Sequence, residues 1–129
     1  TNFALELKLK TINNNQSLVL HGTYTNSFFM KVPVVFTLEA GETIIPAAKT
    51  SNGGTEFVFV EGQTYAGNIV FNSTHWFESI SQNMLESANL TAVGWGWGNN
   101  VMYIDKANNT NIYDIVVGRI KSGSEMIFN

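Results

Sequence analysis

A chain of 129 residues with 44% hydrophobic and 13% charged residues has the size and balance of an ordered domain, the opposite of a disordered chain. The net charge is −3, with one arginine and six lysines. That leaves no cationic cluster for nucleic acid or for an anionic membrane surface. The absence of cysteine excludes disulfides, thiol nucleophiles and thiolate-held metals.

Phe3, Leu5, Leu7 and Leu9 alternate with Glu6, Lys8 and Lys10, the period of a half-buried strand. Asn13-Asn14-Asn15 marks a turn, and Ser17 to Tyr24 reads as a second strand with Leu18 and Leu20 inward. Val32 to Leu38 is a third, with Pro33 placing it at an edge or strand end. Ala40-Gly41-Glu42 turns the chain into a short strand, Thr43-Ile44-Ile45, which Pro46 terminates. Ser51-Asn52-Gly53-Gly54 is the strongest turn signal and leads into a strand over Thr55 to Val60. After a loop from Gly62 to Gly67, Asn68 to Phe71 reads as a further strand.

Between Ser79 and Ala88 the apolar residues Ile80, Met84, Leu85 and Ala88 recur at helical spacing, predicting one short helix. The β pattern resumes at Leu90 to Val93, Val101 to Ile104 and Ile112 to Ile120, with Met126 to Phe128 closing the sheet. Strands spaced at eight to twelve residues predict a single all-β domain over residues 1–129. Its expected form is an antiparallel β-sandwich with one short helix near residues 79–88. No run of apolar residues is long enough for a membrane-spanning helix. No signal peptide is visible at the start, so secretion and the cytoplasm both stay open.

No catalytic constellation emerges. His21 and His75 lie in no metal-binding spacing, and the two aspartates, Asp105 and Asp114, pair with no glutamate in a pattern that spacing can nominate. Nucleophile elbows, phosphate-binding loops and calcium loops are missing from the sequence. The expectation is a non-enzyme without cofactor or metal. Four glycosylation acceptor patterns, at Asn15, Asn72, Asn89 and Asn108, arise readily by chance among 16 asparagines.

The segment that stands out is Gly94-Trp95-Gly96-Trp97-Gly98-Asn99-Asn100. On a strand, Trp95 and Trp97 project to one face, with amides beside them, an arrangement suited to stacking on a sugar ring or entering a lipid interface. The same rings can equally fill core space beside close-packing glycines. Trp97, followed by a polar turn, is the ring expected at the surface. Phe28-Phe29 cannot both point inward on a strand, so either one is exposed or the backbone there is irregular.

His21-Gly22-Thr23-Tyr24, Pro33, Leu38-Glu39-Ala40-Gly41-Glu42 and Ser51-Asn52-Gly53-Gly54-Thr55-Glu56 occur in that order between Leu18 and Val60. This order resembles the core pattern of the aegerolysin-like proteins, small β-sandwich proteins related in fold to actinoporins. The resemblance covers about a third of the chain. It departs where that family's Cys-Gly-Arg-Ser type segment is replaced by Ala47-Ala48-Lys49-Thr50, and in the spacing of Trp76, Trp95 and Trp97. It implies lipid-headgroup or membrane recognition, in some members as the targeting part of a two-component pore.

Together these readings predict a non-catalytic, lectin-like protein that binds a carbohydrate or glycoconjugate. The expected ligand-binding residues are Trp95, Trp97, Asn99, Asn100, Tyr103 and Trp76. The alternatives are membrane-lipid binding or a pore-forming toxin component, and a structural or storage protein. The partner is therefore a glycan or a membrane lipid headgroup, not nucleic acid, and the low charge is compatible with a homo-oligomer.

Overall fold

The structure, a computed structural model, describes the backbone of residues 7–8 and all of residues 16–54, 58–94 and 99–128. It is sheet-rich. In chain order the first strands are β1 (Leu7–Lys8), β2 (Gln16–Thr25), β3 (Lys31–Glu39), β4 (Thr43–Ile44), β5 (Ala47–Thr50) and β6 (Gly67–Phe71). A 3₁₀ turn (Ser73–His75) and helix α1 (Gln82–Glu86) follow. The remaining elements are β7 (Thr91–Ala92), β8 (Asn100–Ile104), helix α2 (Thr110–Gly123) and β9 (Ser124–Phe128). One sheet runs β2-β3-β8-β7, a second runs β5-β9-β6, and β1 pairs with β4.

The register explains the core. Leu18, Leu20 and Tyr24 of β2 stand opposite Leu38, Phe36 and Val32 of β3, while Val34 and Phe36 stand opposite Met102 and Ile104 of β8. Side chains alternate along a strand, so these residues share one face. Ile112, Tyr113, Val116, Val117 and Ile120 of α2 complete the same buried cluster, and Tyr113 stacks on Phe36 at 5.8 Å. Each such side chain contributes about 1.5–3 kcal/mol on burial. Met84, Leu85 and Ala88, from α1 and the turn after it, pack against this core, as their spacing predicts.

Three expectations are corrected. The segment Ile112 to Ile120 is helix rather than strand, because its buried residues fall at i, i+1, i+4, i+5 and i+8, a stripe that buries only on a helix. The pairing is mixed rather than purely antiparallel: β3–β8 and β5–β9 are parallel. Parallel strands need long crossovers, and residues 40–99 supply the first of these. β3 is consequently not an edge strand. Its Pro33 is tolerated at the strand's end, one residue before the β8 ladder begins at Val34.

The third correction concerns the strand expected over 55–60. Its first three residues lie outside those described, and Val58 to Val60 joins no ladder. The Val60 amide donates to Tyr65 Oη at 2.7 Å, and Phe59 meets Phe128 edge-on at 5.4 Å. A turn with Gly62 at φ +79 holds this segment instead. β5 went unforeseen, since Ala47-Ala48-Lys49-Thr50 carries no alternation.

Glu42 fastens α2 to the sheet. Lys121 Nζ lies 2.9 Å and Lys106 Nζ 3.4 Å from its carboxylate, which also accepts from Tyr113 Oη at 3.3 Å. Burial alone would raise the Glu42 pKa, but the hydrogen bonds and charges of Lys121 and Lys106 outweigh it and hold the group below the ordinary value. Burial also pushes Tyr113 up to about 12, and the Glu42 charge adds to this. A carboxyl with a depressed folded pKa stabilises fully above its unfolded pKa and stops doing so as pH falls through the folded value. The urea midpoint should therefore drop on acidification below about pH 4.5. Glu42→Gln should lack that component of the drop, and identical acid profiles for the two proteins would remove Glu42 from the account.

Gly118 sits on the exposed side of α2, and a Cβ built there meets nothing within 4 Å. Gly118→Ala should raise stability by about 0.5–1 kcal/mol, because alanine loses less backbone entropy in a helix. Thermal melts of the two proteins test this directly.

Candidate functional site

The chain leaves β6 through Asn72, whose Oδ1 accepts from the Thr74 amide at 3.1 Å and starts the 3₁₀ turn. The turn delivers His75 and then Trp76 to the junction of β6, β9 and the end of α2. Trp76 is only 5% exposed and is a wall shared by two cavities. One is a cleft of about 390 Å³ bounded by Val70, Asn72, His75 and Trp76 on one side and by Arg119, Ser122, Gly123 and Glu125 on the other. The other is an apolar cavity of about 240 Å³ among Leu18, Leu38, Ile44, Phe71 and Ile120.

The polar groups of the cleft come in matched pairs. His75 Nδ1 is hydrogen-bonded to Glu78 Oε1, leaving Nε2 as the ring nitrogen that can meet a ligand. Arg119, the only arginine, donates through Nε and Nη2 to Ser79 Oγ. Glu125 is ion-paired with Lys49 on the neighbouring strand β5. No hydrogen bond among the described residues joins His75 to Ser79. Groups of three or more His, Asp or Glu able to hold a metal are absent among the described residues.

Among the described residues, the expected site residues do not converge. Trp95 and Trp97 lie outside the described residues. Asn99 and Asn100 stand at the start of β8, where the Asn99 carbonyl accepts from the Val93 amide at 2.7 Å. Tyr103 is half-buried within β8, and its carbonyl accepts from Asn109 Nδ2 at 2.8 Å. By register, Asn100 is level with Val32, whereas the Trp76 cavity is lined by Leu38 at the far end of the same strand. Six residues of strand separate those levels by about 20 Å. Among the described residues, Trp76 is thus the one predicted ligand residue in the cleft.

His75, Arg119, Ser122 and Glu125 were missed because no spacing links them; they meet only when the end of α2 reaches the turn after β6. Asn72, read in the sequence only as a glycosylation acceptor, also suits a side-chain cap, and that signal could have marked the turn. Of the acceptor asparagines, Asn108 donates its Nδ2 to both oxygens of Asp105, at 3.0 and 3.2 Å, bonds that a glycan on that nitrogen would displace. No helix among the described residues is long and apolar enough to cross a membrane. Comparison with family models, curated proteins and solved structures returns no match to this chain.

Proposed function

We propose that the protein is a non-catalytic carbohydrate-recognition domain whose ligand occupies the cleft beside Trp76. The observation that carries this reading is the cleft's balance of charge. Arg119 and Lys49 are offset by Glu125 and Glu78, so the cleft and its rim hold donors and acceptors without a net charge that would select an ion. A neutral polyhydroxyl ligand matches that array, because each hydroxyl both donates and accepts. The indole supplies an apolar wall for the C–H face of a sugar ring. A cleft of about 390 Å³ has room for a mono- or disaccharide.

The same reading takes the two larger sheets as facing layers. Leu18 and Leu38 of one and Phe71 of the other line a common cavity, as the inner faces of a sandwich would.

A glycan array probed with the parent and with Arg119→Met tests the proposal. Arg119 is exposed and bonds an exposed serine, so its replacement should leave the melting temperature within about 2 °C. Binding of the glycan selected by the parent should fall at least about tenfold. An array without signal, or a hit that Arg119→Met binds as tightly as the parent, would overturn the assignment.

A further inference from the structure

We propose that the tip of the β2–β3 hairpin, Asn26 to Met30, is a membrane anchor that seats its apolar side chains at the headgroup–acyl boundary of a zwitterionic lipid bilayer. Three consecutive large apolar residues project there: Phe28, Phe29 and Met30 are 79%, 89% and 60% exposed. A run of this kind on a two-stranded tip is convex and has no apolar surround of its own.

The N–H groups of the tip are prepared for leaving water. All five amides from Asn26 to Met30 donate within the protein. Asn26 N reaches the Met30 carbonyl at 2.9 Å and Phe29 N the Asn26 carbonyl at 3.0 Å. The Asn26 side chain accepts from both Phe28 N and Met30 N at 2.9 Å, and Ser27 N donates to Glu86 Oε1 at 2.8 Å. An exposed turn in water gains little from such completeness, since solvent satisfies its amides at no cost. At a hydrocarbon boundary each unsatisfied amide is expensive, and internal satisfaction becomes a condition of entry.

The tip is also held in one shape. Phe29 adopts φ 61, a left-handed conformation uncommon for a bulky residue, and the four Asn26 bonds maintain it. Glu86, from α1, clamps the loop from behind, accepting from Tyr24 Oη at 2.8 Å as well as from Ser27 N. The Tyr24 and Ser27 hydrogen bonds keep its carboxyl below the ordinary pKa. Pre-ordering of this kind removes the entropy cost that a flexible loop would meet on insertion. A carboxylate behind the tip and one lysine, Lys31, beside it give no cationic excess, which is why the bilayer is zwitterionic rather than anionic.

The test is flotation of the full chain with phosphatidylcholine vesicles, comparing the parent with a Phe28→Ser, Phe29→Asn double variant. Serine and asparagine suit the turn, and asparagine accepts the left-handed conformation, so the melting temperature should hold within about 2 °C. The parent should float with the vesicles, and the double variant should partition at least about tenfold less. A parent that stays at the bottom of the gradient, or a double variant that floats equally, overturns the proposal. So does a parent that sediments as an oligomer which the double variant dissociates, while neither protein floats; the tip is then a protein contact. The glycan array on the cleft is read separately, so failure of one assignment leaves the other standing.

Discussion

Trp76→Ala is expected to lower the unfolding free energy by about 3–5 kcal/mol, the cost of removing a buried indole. The upper part of that range applies here. Trp76 separates a polar cleft of about 390 Å³ from an apolar cavity of about 240 Å³, and its removal joins them into one space. The walls cannot readily close over the gap, because Leu38 is held by its pairing with Leu18 and Ile120 lies within helix α2. Water entering from the cleft would then wet Leu18 and Ile44, which the indole now shields. Urea titration followed by circular dichroism measures the loss. Trp76→Phe, which keeps an aromatic wall, should lose less than half as much. A Trp76→Ala midpoint within about 1 kcal/mol of the parent would sink both the core role and the cleft's geometry.

Asn109→Ala should cost about 3 kcal/mol. Asn109 precedes α2 and is buried, with φ 53. Its amide group does not cap the helix. Oδ1 accepts from Asn89 N at 2.8 Å, while Nδ2 donates to the carbonyls of Asn89 at 2.9 Å and Tyr103 at 2.8 Å. One side chain thus ties β8, the start of α2 and the segment before β7. Alanine loses three bonds to part-buried backbone groups, at about 1 kcal/mol each, and is itself strained in the left-handed region. Asn109→Gly separates the two effects, since glycine accepts the backbone angle but makes none of the bonds. It should recover roughly 1 kcal/mol of the loss. Equal stability of the alanine variant and the parent would show that the three bonds contribute nothing net.

What could be read from the residues divides along physical lines. Strands β2 and β3 were legible because Leu18, Leu20, Val32, Val34, Phe36 and Leu38 alternate, and their one buried face fixes the register of the pairing that the structure shows. The short helix was legible from Ile80, Met84, Leu85 and Ala88. Helix α2 was not, although its stripe is present at Ile112, Tyr113, Val116, Val117 and Ile120. Four of those five are β-branched, and their strand preference masked a period that only packing on Phe36 and Ile104 makes decisive. The cleft was illegible for a different reason. Asn72 and Glu125 are brought together by antiparallel pairing of β6 with β9, and no local pattern reports a pairing across fifty residues of sequence. Phe28-Phe29 required either an exposed ring or an irregular backbone, and the structure has both: the two rings are exposed and Phe29 has φ 61.

The order of the second sheet has a kinetic consequence. β9 is its central strand and follows in sequence both strands that it joins: Ala47 of β5 pairs with Glu125, and Phe71 of β6 pairs with Ser124. During synthesis β5 and β6 therefore emerge long before their shared partner, and β6 waits as a free edge carrying Ile69, Val70 and Phe71. Pairings this distant close slowly, because the loop entropy is spent before any contact repays it. The first hairpin, by contrast, can form as soon as Glu39 has cleared the ribosome. Folding in a refolding jump should then be biphasic, with β2–β3 protected from hydrogen exchange early and β5, β6 and β9 protected together, late. In the interval the exposed β6 edge is where misassembly between nascent chains would begin.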